Sequence, residues 1–173
     1  MGFLDFFRPK WKHSNPDVRM EAVKNLENQT LLGNIARADL DSRVRKTAIN
    51  KLIDQNLLVK VAMNREEDKD VRKEAAKKLT DQSFLVKVAK KPDKRISINE
   101  KGLDYNALQA KSDELEKEEA EVRIEAVLRI EDQAILAEIA KEKYDSPDVL
   151  KAVLNKLEDP RLLAEIAKSD PVY

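Results

Sequence analysis

From Asn15 onward the apolar and polar positions recur in one order: a valine, an alanine four residues later, a leucine at eight, an Asp or Asn at ten, and a second apolar cluster at thirteen to eighteen. Copies start at Val18, Val44, Val71 and Val122, each valine followed by arginine, and a fifth starts at Val149 with Leu150 in the arginine's place. The starting points lie 26, 27, 51 and 27 residues apart, so the long interval predicts two repeats with a degraded member between them. Apolar positions 0, 4, 5 and 8 of a repeat form one stripe of an α-helix; in the first copy they are Val18, Ala22, Val23 and Leu26. Leu31, Leu32, Ile35 and Ala36 form the stripe of a second helix. Each repeat is therefore predicted to be two short helices.

Capping residues punctuate the pattern. Asn15, Asp41, Asp68 and Ser146 stand three positions before the valine, with Pro16 and Pro147 where a helix has no use for an N–H. Glu119 is the weak member of that set. Asn28, Asp54, Asp81, Asp132 and Asp159 stand ten positions after the valine and are placed to cap the second helices. Self-similarity at this period predicts an all-α chain built as an α-solenoid of short two-helix repeats, in which each repeat buries its apolar face against its neighbours. The expected organisation is an apolar capping segment over 1–14, three repeats over 15–93, a degenerate repeat or insert over 94–118, and two repeats over 119–173.

Composition agrees with helices. Charged residues make up 38% of the chain and glycine only 3 of its 173 residues, so no sheet is expected. The lack of cysteine excludes a disulfide framework, a thiolate metal site and a cysteine nucleophile. No leader, lipidation signal or run of ~18 apolar residues is legible, which points to a cytoplasmic protein without a transmembrane segment. Net charge is zero, but residues 1–95 carry 22 Lys and Arg against 14 Asp and Glu, while residues 96–173 carry 11 against 19. Opposite charge on the two parts leaves head-to-tail self-association open.

Arg19, Arg45, Arg72 and Arg123 fall inside the apolar arc of the first helices, where an unpaired guanidinium would be costly. The cap aspartates of the same or an adjoining repeat are the expected partners, giving a structural ladder. Gln29, Gln55, Gln82 and Gln133 recur in the same way and are read as architectural, since catalysis needs singular residues.

The run Asp-Val-Arg with alanine four after the valine, followed by Leu-Thr-Asp-Gln and Leu-Val-Lys-Val-Ala, resembles the short bacterial HEAT-like repeats over residues 15–93 and 119–171. It is also similar to leucine-rich variant repeats. The resemblance implies an elongated binding scaffold and, by analogy with HEAT-like folds, a concave side lined by second helices.

The expected function is accordingly a non-catalytic scaffold for protein–protein contacts, with no cofactor, no metal and no catalytic residue. Its partner surface is expected on the second helices, at Lys60, Lys87, Lys90, Glu138 and Glu165, changing from basic to partly acidic along the chain. Alternatives are a HEAT-like enzyme of bilin lyase or DNA glycosylase type, and a nucleic-acid-binding module using the basic N-terminal half. The zero net charge and the acidic half oppose the latter. Singular features gather at the N-terminus in Phe3, Phe6, Phe7, Trp11 and His13, which read as a cover for the first repeat. The region around Gly102 reads as a loop in which Ile96 and Ile98 alternate with polar neighbours, followed by a longer helix running into the fourth repeat.

Overall fold

Capping side chains set the helix boundaries in the computed structural model, which describes residues 8–90, 105–142 and 146–169. A 3₁₀ turn at Lys10–Lys12 precedes α1 (Pro16–Lys24), α2 (Gln29–Ala38), α3 (Ser42–Lys51), α4 (Gln55–Ala62) and α5 (Lys69–Lys77). There follow α6 (Gln82–Ala89), α7 (Tyr105–Val127), α8 (Gln133–Ala140), α9 (Pro147–Lys156) and α10 (Pro160–Ser169). Among the described residues every element is helical. The cover expected from Phe3, Phe6 and Phe7, the extended segment at Ile96 and Ile98, and the terminal Val172 and Tyr173 lie outside the described residues.

Most of the expected N-caps accept hydrogen bonds from the helices they open; Ser146 stands at the N-cap of α9 but its side chain makes no cap bond. Asn15 Oδ1 takes the Asp17 N–H at 2.8 Å, and Asp41 Oδ1 takes that of Arg43 at 2.8 Å. Asn28, Asp54 and Asp132 do the same for Leu31, Asn56 and Ala134, at 2.9, 2.9 and 2.8 Å. Each such cap stabilises its helix by about 1 kcal/mol, a large contribution for helices of eight to ten residues. Glu119 caps nothing, because it lies inside α7. No glycine or proline interrupts the chain from Tyr105 to Val127, so the helix that carries the fourth valine simply begins further upstream.

The described chain divides into two halves at Leu79 and Thr80. In the N-terminal half α1 packs on α3 and α3 on α5, while α2 packs against α3 and α4 against α5. Each second helix thus leans on the first helix of the following repeat. In the C-terminal half the same relation joins α6 to α7 and α8 to α9, with α7 beside α9 and α8 beside α10. The repeat valines Val44, Val71, Val122 and Val149 are completely buried, as are Leu52 and Ile130 at position eight. Burying side chains of this size is worth about 1.5–3 kcal/mol each. Gly33 on α2 makes a notch for the next second helix: a Cβ there would stand 2.7 Å from Leu57 Cδ1 of α4.

Glutamine side chains staple neighbouring repeats. Gln29 donates from Nε2 to the Lys51 carbonyl at 3.3 Å and accepts the Ile53 N–H on Oε1 at 2.9 Å. Gln133 repeats both bonds with the Lys156 carbonyl and the Glu158 N–H, at 3.3 and 2.8 Å. Gln55 Nε2 reaches the Lys78 carbonyl at 3.3 Å. In every case the bonded backbone is the turn between the two helices of the next repeat.

Gln82 makes the same pair of bonds, but with the Arg129 carbonyl and the Glu131 N–H, 47 and 49 residues away, where Gln29 spans 22 and 24. The bonds from α6 therefore pass directly to the α7–α8 turn. Gln82 is thus bonded to the fourth repeat as Gln29 is to the second, while residues 91–104 of the expected degenerate repeat or insert lie outside the described residues.

Removing a staple strands two backbone groups at once. Gln133→Leu is expected to lower unfolding free energy by about 1–3 kcal/mol in urea titration, with Gln29→Leu costing a similar amount. Acid should act through the caps as well. Asp41 is held down at about 2, first by the side-chain hydrogen bond from Arg43 and then by that residue's backbone N–H, and Asp70 and Asp81 are lowered by bonds from Lys46 and Ser83. Carboxylates depressed in the folded state stabilise it above the unfolded pKa, and that stability disappears as pH falls from about 3.8 through about 2. Melting temperature measured between pH 5 and 2 should fall over this window, and Asp41→Asn should show a shallower decline.

Candidate functional site

The repeated arginines sit where the helical wheel places them, Arg72 and Arg123 being almost fully buried. For Arg19 and Arg45 the acidic partners differ from the cap aspartates that the sequence suggests. Arg19 forks onto Asp39 with two bonds of 2.8 Å and donates from Nη1 to the carbonyls of His13 and Ser14. This pairing holds the guanidinium pKa above its usual value. Arg45 pairs with Glu67 at 2.6 and 2.8 Å and donates to the Asp39 carbonyl at 2.7 Å. Arg72 Nε reaches the Ala62 carbonyl at 3.1 Å. Arg123 Nε reaches the Ala89 carbonyl at 2.7 Å, with Glu142 at 3.9 Å.

The physical logic is common to all four. Cap carboxylates already accept N–H groups of their own helices, so the arginine turns to the carbonyls that a preceding second helix leaves open at its C-terminus. For Arg19, which has no preceding second helix, the carbonyls after the 3₁₀ turn take that place. Lysines add a parallel set: Lys51 Nζ donates to the Lys24 carbonyl at 2.6 Å and Lys156 Nζ to the Leu128 carbonyl at 2.7 Å. Lys78 does the same for Asn50, and burial lowers its pKa. The four arginines are thus consumed by architecture.

What remains for recognition is the outer face of the second helices. Lys60, Lys87, Lys90, Glu138 and Glu165 are all exposed there. In the C-terminal half this face is laced by ion pairs, Lys90 with Glu138 at 3.8 Å and Lys141 with Glu165 at 2.7 Å. A cation at position nineteen of one repeat meets a carboxylate at position sixteen of the next. The partly acidic character expected for this part of the face is therefore offset by lysines at Glu138 and Glu165. Arg37, at position nineteen of the first repeat, donates to Asn34 Oδ1 and to the Gly33 carbonyl. Its counterpart at position sixteen of the second repeat is Lys60, so no carboxylate occupies the place filled by Glu138 and Glu165.

At the start of the N-terminal half a cleft of about 680 Å³ opens beside α2, walled by Trp11, Leu31, Ile35 and Leu40. Leu40 is 96% exposed, Lys12 lies 4.7 Å from the Trp11 ring centroid, and His13 Nδ1 accepts the Asn15 N–H at 3.0 Å. Among the described residues no group of three or more His, Asp or Glu side chains is arranged to hold a metal ion, and no helix is long and apolar enough to cross a membrane. No protein-family model, curated protein or solved structure matches the chain.

The Arg45 and Glu67 side chains are 15% and 5% exposed, so removing one leaves the other charge largely desolvated. Arg45→Met is expected to destabilise the protein by about 3–5 kcal/mol. Combining it with Glu67→Gln should recover part of the loss, and a double-mutant cycle in urea should give a coupling of about 1–3 kcal/mol.

Proposed function

We propose that the chain is a non-catalytic repeat scaffold, an α-solenoid of short two-helix repeats of the HEAT-like kind, that binds another protein through the outer face of its second helices. The observation that carries this reading is a division of labour among polar residues. Those that recur in register, the cap Asp and Asn residues, the glutamines and the arginines, are bonded to backbone or to each other. The residues at positions sixteen and nineteen are exposed and change identity from repeat to repeat, as Asn34, Lys60, Lys87, Glu138 and Glu165 illustrate. A surface that varies on a constant frame suits selective recognition, and α-solenoids present such surfaces as extended sites. A protein of this kind works where its partners are, which for a chain with this composition is the cytoplasm.

Affinity capture under mild salt should retrieve a stoichiometric partner. Reversing the charges of Lys60, Lys87, Lys90, Glu138 and Glu165 should abolish its binding, while reversals on the first helices, at Glu21 and Lys151, should leave it intact. Loss of binding only with the first-helix variants would overturn the assignment of the face.

A further inference from the structure

We infer that the second-helix face of the N-terminal half takes a carboxylate from a partner protein, an Asp or Glu side chain in an acidic and apolar segment that bridges Arg37 and Lys60. The inference rests on the proposed scaffold function and deepens it by naming the partner's chemistry.

The repeat register supplies the argument. In the C-terminal half the position-nineteen cation of one repeat and the position-sixteen residue of the next stand within ion-pair distance twice over, in Lys90 with Glu138 and in Lys141 with Glu165. In the N-terminal half the second helices α2 and α4 are also in contact, with Leu57 seated at Gly33. Its residues in those two places are Arg37 and Lys60, both cations. Neither α2 nor α4 contains an acidic residue. Arg37 is oriented by Asn34 and by its own helix carbonyl, and both of those contacts are neutral, so among the described residues its charge has no ion-pair partner. Lys60 has no ion pair among the described residues.

Two like charges in matching register on neighbouring second helices disfavour each other and favour an anion that reaches both. A guanidinium with a fixed plane adds directional preference for a carboxylate. Met63, the C-cap residue of α4 and three residues beyond Lys60, is 43% exposed and offers an adaptable apolar contact. A segment carrying an acidic residue flanked by an apolar one fits that combination. In the C-terminal half Lys90 and Lys141 already hold carboxylates, Glu138 and Glu165.

The test uses the full chain and three fluorescein-labelled probes: a peptide of alternating Glu and Leu, its counterpart with Gln for Glu, and a single-stranded oligonucleotide. Fluorescence anisotropy should show binding of the Glu peptide, weakened about tenfold by Lys60→Glu or Arg37→Glu and unchanged by Lys168→Glu on α10. Lys60→Glu also supplies Arg37 with the carboxylate that the fourth and fifth repeats possess at this position, so the variant should fold with a melting temperature raised by about 1–2 °C. That second readout separates loss of the site from loss of the fold. No binding of the Glu peptide, equal binding of the Gln peptide, or an oligonucleotide that binds in its place would overturn the inference. A captured partner that ignores Lys60→Glu but is lost on reversing Glu138 and Glu165 would sink this inference and leave the scaffold reading standing. Absence of any partner would sink both.

Discussion

Short helices have ends out of proportion to their middles, and that constraint governs the molecule. A helix of eight to ten residues leaves four N–H and four C=O groups without intrahelical partners, close to half of its backbone polar groups. A chain made of such helices must supply partners many times over. Here the N-termini are met by Asn and Asp side chains, the C-termini by arginines and lysines from the following repeat, and the turns by glutamine. Among the described residues no buried side-chain nitrogen or oxygen lacks a hydrogen bond. The recurring polar residues are therefore as structural as the recurring valines.

The same bonds explain how extra chain is tolerated after α6. Gln82 holds the α7–α8 turn and Arg123 holds the end of α6, so the third and fourth repeats are joined from both sides whatever lies between them in sequence. Loop closure costs only about 0.6 kcal/mol for each doubling of length. Two polar contacts and the buried faces of Leu85, Val88 and Val122 outweigh such a term readily.

Legibility in the sequence followed the range of each interaction. The N-caps and the apolar stripes are local, with partners two to eight residues away, and they predicted the helices between Asn15 and Ala89 closely. The glutamines were visible as a repeat, but their backbone partners leave no mark on side-chain identity. The arginine partners were harder still. Asp39, Glu67 and Glu142 occupy connections of unequal length, so they fall at no constant distance from the valine. The cap aspartates, which do keep register, looked like the natural partners and were already engaged. The 51-residue interval is read differently by contact than by period: arithmetic suggests a further repeat, while the bonds of Gln82 reach the turn of the fourth repeat directly.

For recognition, the consequence is that charge composition describes this surface poorly. The C-terminal part of the sequence is acidic, yet Glu138 and Glu165 on its second helices are paired with Lys90 and Lys141. The first helices of the N-terminal half are laced in the same manner, through Asp17 with Arg43 and Lys46 with Asp70. What distinguishes one site from another is the pairing across consecutive repeats. Exposed pairs of this kind add little to stability, about 0–1 kcal/mol each, so their sequence is free to change without endangering the fold. A frame whose stability resides in buried staples can therefore vary its outer charges repeat by repeat, and a mismatched pair such as Arg37 and Lys60 costs little enough to be kept for binding.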